Sequence, residues 1–144
     1  MDPYRQALIV AAARGWIGTP YHHQASLKGV GTDCLGLVRG VWREIYGHDA
    51  EPPPPYAPDW AETDKDEAML QAARRHLADV AVADRAAGDV VIFRMKRAAA
   101  AKHAAILTQR DTMIHAMEGV AVAEVALSAW WRRRIAAVFR FPGA

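Results

Sequence analysis

The 144-residue chain carries a single cysteine, Cys34. One thiol excludes an internal disulfide framework, and there is no Cys-x-x-Cys pair for zinc binding or dithiol redox chemistry. Charge of one sign is also scarce. The 18 basic and 16 acidic side chains leave a formal net charge of +2, too small to point to a nucleic-acid partner. The densest basic run, Arg132-Arg133-Arg134, directly follows Trp130-Trp131, has no nucleic-acid signature beside it, and reads as a solvated strand or helix end. Long apolar runs are missing. Residues 7–13 are apolar but short, follow the acidic Asp2 and end at Arg14-Gly15, so neither membrane insertion nor an export signal is expected. The chain is expected to be made in the cytoplasm, and to need a carrier if it acts beyond the inner membrane. Metal-binding helices of the His-x-x-x-His or His-Glu-x-x-His type are absent, and the adjacent His22 and His23 diverge in a strand or loop. The glycines show no phosphate-loop spacing. No metal and no cofactor is expected. Asp33, Asp89 and Glu118 are the carboxylates a glycosidase would recruit, but nothing in their spacing pairs them.

What is present is enough apolar sequence, 52%, for one ordinary domain over residues 1–144. The pattern predicts a helical front and a strand-rich back. Residues 4–14 read as a first helix with Pro3 near its first position. Two loops, Trp16-Ile-Gly-Thr-Pro-Tyr21 and Lys28-Gly-Val-Gly31, lead to a second helix that Gly47 ends. Pro52 to Pro55 and Pro58 predict a stiff extended segment. Asp64 and Glu67 have capping-box spacing, and Met69, Ala72, Ala73, His76 and Leu77 give a third amphipathic helix. After about Val80 come five short β-branched runs: Val90–Phe93, Ala104–Thr108, Met113–Ala116, Val120–Val125 and Ile135–Phe141. Short turns between consecutive strands imply an antiparallel sheet, hence an α+β fold with helices on one side. The basic, Ala-rich residues 96–102 fall in a loop or hairpin tip.

Cys34 lies where a loop becomes the second helix, in Gly-Thr-Asp-Cys-Leu-Gly-Leu-Val38, with Asp33 or Thr32 as N-cap. A helix N-terminus favours the thiolate, so a lowered thiol pKa is expected there. Cys34 shares a stripe with Val38, Val41 and Ile45, which turns the thiol toward the protein body. Gly36 and Gly40 allow another element to approach closely. A buried cysteine of this kind is also read simply as a small apolar residue. A nucleophilic thiol needs a base and an orienting partner. His103 and His115, twelve residues apart across one tight turn, are placed to meet on adjacent strands. A structural role for both histidines accounts for the same positions.

Five ordered blocks make the pattern specific: Gly18-Thr-Pro-Tyr21, Thr32-Asp-Cys-Leu-Gly-Leu-Val38, Gly88-Asp-Val-Val-Ile-Phe93, His103-Ala-Ala-Ile-Leu107 and Met113-Ile-His-Ala116. In these blocks the chain resembles the NlpC/P60 cysteine peptidases, and among them the phage tail-associated cell-wall peptidases. The resemblance implies a papain-like NlpC/P60 fold with about five strands. It implies Cys34 as nucleophile, His103 as general base and His115 as the residue orienting His103. Tyr21 corresponds to the family tyrosine near the nucleophile, a candidate oxyanion donor beside the Cys34 N–H. Asp33 corresponds to the acid before the nucleophile and could face a substrate ammonium. Packing of the loop accounts equally for Tyr21, and Asp33 is a cap before it is a ligand. Leu35 stands where the family most often has serine, and His-Ala-Ala-Ile where it often has His-Val-Gly-Ile. The implied partners are peptidoglycan stem peptides and other tail or tail-tip proteins of a phage-like particle. The implied reaction is hydrolysis of the γ-D-glutamyl–diaminopimelate bond at the periplasmic wall. Alternatives on this scaffold are an amidase or acyltransferase, a tail-tip component with little turnover, and a plain interaction domain. Trp60 with the proline segment, or Trp130-Trp131-Arg132, offers a docking surface unless the tryptophans stack in the core.

Overall fold

Asp2 starts the first helix: its carboxylate accepts from the N–H groups of Tyr4 and Arg5 at 3.0 and 3.3 Å, and Pro3 occupies the first turn. In the computed structural model, which describes residues 1–51 and 67–144, this helix, α1, runs Pro3–Arg14. A small antiparallel pair, β1 (Ser26–Leu27) and β2 (Gly31–Thr32), leads into α2 (Cys34–Tyr46). Gly47, in the left-handed region at φ 79°, ends α2 with its N–H donating to Arg43 O at 2.9 Å. The third helix, α3 (Ala68–His76), buries Met69, Leu70 and Ala73. Pro52 to Pro55, Pro58, Trp60 and Asp64 lie outside the described residues. Glu67 departs from the expected capping box. It precedes α3 without a side-chain cap hydrogen bond, and its carboxylate instead accepts from the Ala101 N–H at 2.9 Å and pairs with Arg94.

The strand-rich half is one antiparallel sheet in the order β3-β8-β4-β5-β6-β7. Its strands are β3 (Ala78–Val80), β4 (Val90–Phe93), β5 (His103–Gln109), β6 (Thr112–Met117), β7 (Val120–Ala126) and β8 (Ile135–Arg140). The five expected strands are all there. The sixth, β3, is only three residues long and pairs at the sheet edge, Ala78 opposite Arg140. A short helix, α4 (Ala129–Arg132), fills the connection between β7 and β8.

Both faces of the central strands are buried, and alternation sorts their side chains. Val90, Ile92, Ala104, Ile106 and Ile114 pack with Ile9, Leu37 and Val41 of the helices. Val91, Phe93, Ala105, Leu107 and Met113 form a second cluster with Leu127, against which Trp131 packs. The helix side is set by close approach. A Cβ at Gly40 would overlap the Trp16 indole, and one at Gly36 would overlap the Ala25 carbonyl oxygen. Asp89, the carboxylate before β4, is buried and pairs in bidentate fashion with Arg140 of β8 at 2.8 Å for each contact, a tie between strands.

Candidate active site

The loop before α2 positions the nucleophile candidate. The Thr32 N–H donates to Pro20 O and the His22 N–H to Thr32 O, both at 3.0 Å, so Tyr21 lies bridged alongside Thr32. Asp33 is the N-cap. One carboxylate oxygen accepts from the Gly36 N–H at 2.7 Å and the other from the Gln24 N–H at 2.9 Å. Cys34 is then the first residue of α2. Its thiol donates to the Lys102 carbonyl oxygen at 3.7 Å, while the Ala104 N–H is directed at the sulfur. The sulfur therefore rests against the peptide groups on both sides of His103. Among the described residues, none of its hydrogen bonds goes to the His103 ring.

His103 opens β5 and sits opposite Phe93 of β4. In the β5–β6 pair Ile106 is opposite Ile114, and one step further sets His115 opposite Ala105, diagonal to His103. The two rings meet, with His103 Nε2 and His115 Nδ1 2.9 Å apart. If His103 donates from Nε2–H, its Nδ1 keeps a free lone pair, the arrangement a general base requires.

Burial sets the protonation states. It pushes the Cys34 thiol up to about 12, with the Asp33 carboxylate acting in the same direction and nearby backbone N–H groups opposing. The lowered thiol pKa expected at a helix start is thus reversed, because desolvation of a thiolate outweighs the dipole here. Burial first, and then the charges of His115 and Lys102, pull His103 down to about 3. Burial also lowers His115. All three shifts run in the direction that favours a neutral thiol and neutral imidazoles over an ion pair. Burial, followed by the charges of Asp33, Cys34 and Glu118, raises Tyr21 to about 12, so its hydroxyl stays a donor.

Cys34, His103, Tyr21 and Asp33 line one cleft of about 200 Å³ together with Lys102 and Glu118. Met69, Met95 and Met117 supply apolar wall, and His23 also reaches it. A larger groove of about 600 Å³ runs along α1 past Gln6, Val10 and Arg14, away from every one of these groups. Of the carboxylates weighed for glycosidase chemistry, Asp89 is held by Arg140 outside the cleft. Among the described residues, no three His, Cys, Asp or Glu side chains converge to hold a metal ion, and no helix is long and apolar enough to cross a membrane. The Lys102 carbonyl and the aromatic surroundings of His103 are the parts sequence reasoning missed. A main-chain oxygen leaves no residue-type signature, and Trp131 is far from His103 along the chain.

The helix-borne cysteine, the histidine pair on an antiparallel sheet and the order of elements define an α+β domain of the NlpC/P60 type. The chain belongs to the NlpC/P60 family, whose model matches residues 18–140. In structure it is similar to the NlpC/p60 domain of the peptidoglycan hydrolase SagA, with TM-score 0.70 and 21% identity, over 94% of this chain and 98% of that one. A Bacillus cereus NlpC/P60 family protein matches with TM-score 0.71 and 16% identity, over 94% of this chain and 40% of the other. A lipoprotein-like NLP/P60 family protein from Staphylococcus aureus matches with TM-score 0.67 and 19% identity, over 98% of this chain. The chain spans 42% of that protein's length. No curated protein sequence matches the chain.

Proposed function

We propose that the protein is a cysteine endopeptidase that hydrolyses peptide bonds of the peptidoglycan stem, at the bond joining D-glutamate through its γ-carboxyl to diaminopimelate. The observation that carries this reading is the joint placement of the Cys34 sulfur against the peptide groups flanking His103 and of His103 against His115. The peptidoglycan hydrolase SagA, whose NlpC/p60 domain has the same fold, supports the substrate class.

The mechanism starts from the neutral pair. His103 Nδ1 takes the thiol proton as Cys34 Sγ attacks the substrate carbonyl carbon, and the C=O π electrons move onto oxygen. The Cys34 N–H and the Tyr21 hydroxyl are the donors for that oxyanion. Collapse breaks the C–N bond, and the imidazolium of His103 gives its proton to the leaving amine. A water, deprotonated by His103, then attacks the thioester carbonyl and releases the new carboxylate and the Cys34 thiol. His115 holds the His103 ring throughout. Asp33 and Glu118 at the cleft favour a substrate ammonium, and Lys102 favours a substrate carboxylate.

Incubation with defined muropeptides and mass analysis of the products tests this. Cys34→Ala should abolish cleavage while the thermal melt is kept, and cleavage by that variant would sink the reading. His103→Ala should lose more activity than His115→Ala, and equal complete losses would mean that His115 does more than orient. An amidase or acyltransferase would give different products in the same assay. A tail-tip component with little turnover is favoured by one observation, the Cys34 thiol bonded to the Lys102 carbonyl oxygen rather than to the His103 ring, and it predicts no wild-type cleavage. Delivery in a phage-like tail to the periplasmic wall, with other tail proteins as partners, rests on the resemblance of the five sequence blocks. Mass spectrometry of purified particles checks it, and particles lacking this chain would remove that part of the proposal.

A further inference from the structure

The Trp130-Trp131-Arg132-Arg133-Arg134 run has no part in the steps above, yet it reaches the histidine pair. The Trp131 ring lies stacked on His103, with centroids 5.2 Å apart and planes 28° apart. The same ring meets His115 edge-on at 5.3 Å and 87°. It therefore touches both partners of the His103–His115 hydrogen bond while lying outside the residues that line the cleft. Phe93, opposite His103 in the sheet, packs on both, at 5.8 Å from the His103 ring and 4.8 Å from Trp131.

Trp131 is itself held. The Leu127 N–H donates to Asp111 O and the Arg132 guanidinium to Leu127 O, both at 2.8 Å, which fixes the start of the β7–β8 connection. The Arg94 N–H donates to Arg134 O at 2.8 Å, which fixes its end. Outside, Trp130 packs edge-on against Trp131 at 4.9 Å, and the Arg134 guanidinium lies 3.5 Å over the Trp130 ring. From the exposed Trp130, with Arg134 on its ring, the stack runs inward through the half-buried Trp131 to the two buried histidines.

We propose that Trp131 is a positioning residue for the catalytic pair: it locks the His103 ring in the plane that keeps the His115 hydrogen bond, and it keeps water from that bond. This rests on the peptidase reading for its kinetic consequence, but not for its effect on the two rings. A flat, rigid indole suits the task, since a stacked face limits ring rotation at little cost in its own conformational freedom. Misplacing a base by about 1 Å costs on the order of a hundredfold in rate. The titratable and charged groups around His103 are His115 from β6, Lys102 beside it in the chain, Cys34 and Asp33 from the start of α2, Tyr21 and His23 from the loop before it, and Glu118 from the β6–β7 turn.

The test compares wild type, Trp131→Phe and Trp131→Leu by two readouts. In the muropeptide assay Trp131→Leu should lose between about tenfold and about a hundredfold in kcat with KM changed by less than about twofold, and Trp131→Phe should lose less. Equal losses in the two variants, or a change confined to KM, overturn the proposal. In imidazole titrations followed by NMR, the His103 and His115 midpoints should climb toward the ordinary value in Trp131→Leu and part of the way in Trp131→Phe. Unchanged midpoints in Trp131→Leu overturn it. If Trp131→Leu does not fold, unchanged midpoints in Trp131→Phe do so. A wild-type protein that cleaves no muropeptide removes the peptidase reading alone, because the titrations still decide the role of Trp131.

Discussion

On the helix side of the sheet, Val90, Ile92, Ala104 and Ile106 pack against Ile9, Leu37 and Val41 from two regular helices. On the other side, Val91, Phe93, Ala105 and Leu107 are covered by the connection between β7 and β8, which contributes Leu127 and Trp131 and a single helical turn. The chemistry is divided in the same way. Cys34 and Tyr21 pack on the helix-side cluster, whereas His103 and His115 share the alternation of Ala105 and Met113, on the other side. The two sets meet only where β5 begins, because the sulfur reaches around the peptide groups flanking His103. With the thiol on one layer and the imidazole pair on the opposite one, neither face alone positions both groups.

That contrast can be broken at either face. The largest stability effect is expected on the helix side. Gly40→Ala sets a methyl into the Trp16 indole, itself buried at 2% exposure, and should cost about 1–3 kcal/mol by overpacking. Denaturant melts measure this, and an unchanged midpoint would show that α1 and α2 are free to separate.

Smaller effects come from the titrating groups on each side. His103 is held near 3 in the fold against 6.5 when exposed, so between these values the unfolded chain binds more protons and stability rises with pH. Stability should therefore fall as pH drops from 6.5 toward 3, and His103→Gln should flatten that slope. A slope identical in the variant would place the acid sensitivity elsewhere. Cys34 behaves in the opposite sense. Its thiol is raised from 9.0 to about 12, so its contribution is complete below pH 9 and is lost as pH rises toward 12. Alkylation of Cys34 should accordingly be slow at neutral pH and accelerate in the alkaline range, and fast labelling at pH 7 would contradict the neutral resting pair.

Much of this was legible in the chain. Helices α1 and α2 and the five longer strands announced themselves by periodicity and by capping or turn residues, because local burial repeats at 3.6 or 2 residues. The strand at Ala78–Val80 did not, since three residues are too few to show alternation and its partner, β8, lies some sixty residues on. The approach of other elements to Gly36 and Gly40 was readable as spacing, but the identity of those elements, the Ala25 carbonyl and Trp16, was not. Cys34, His103 and His115 could be picked out as candidates by residue type and by a single tight turn.

Sequence by itself determined the order of helices and strands, the cap that starts α2 at Cys34 and the hairpin that carries the two histidines, because each depends on neighbours a few residues apart. Tertiary structure alone decided the protonation of the site and the contact of Trp131 with the histidine rings. Both depend on what excludes water, and that is set by residues that are distant in the chain and adjacent only after folding.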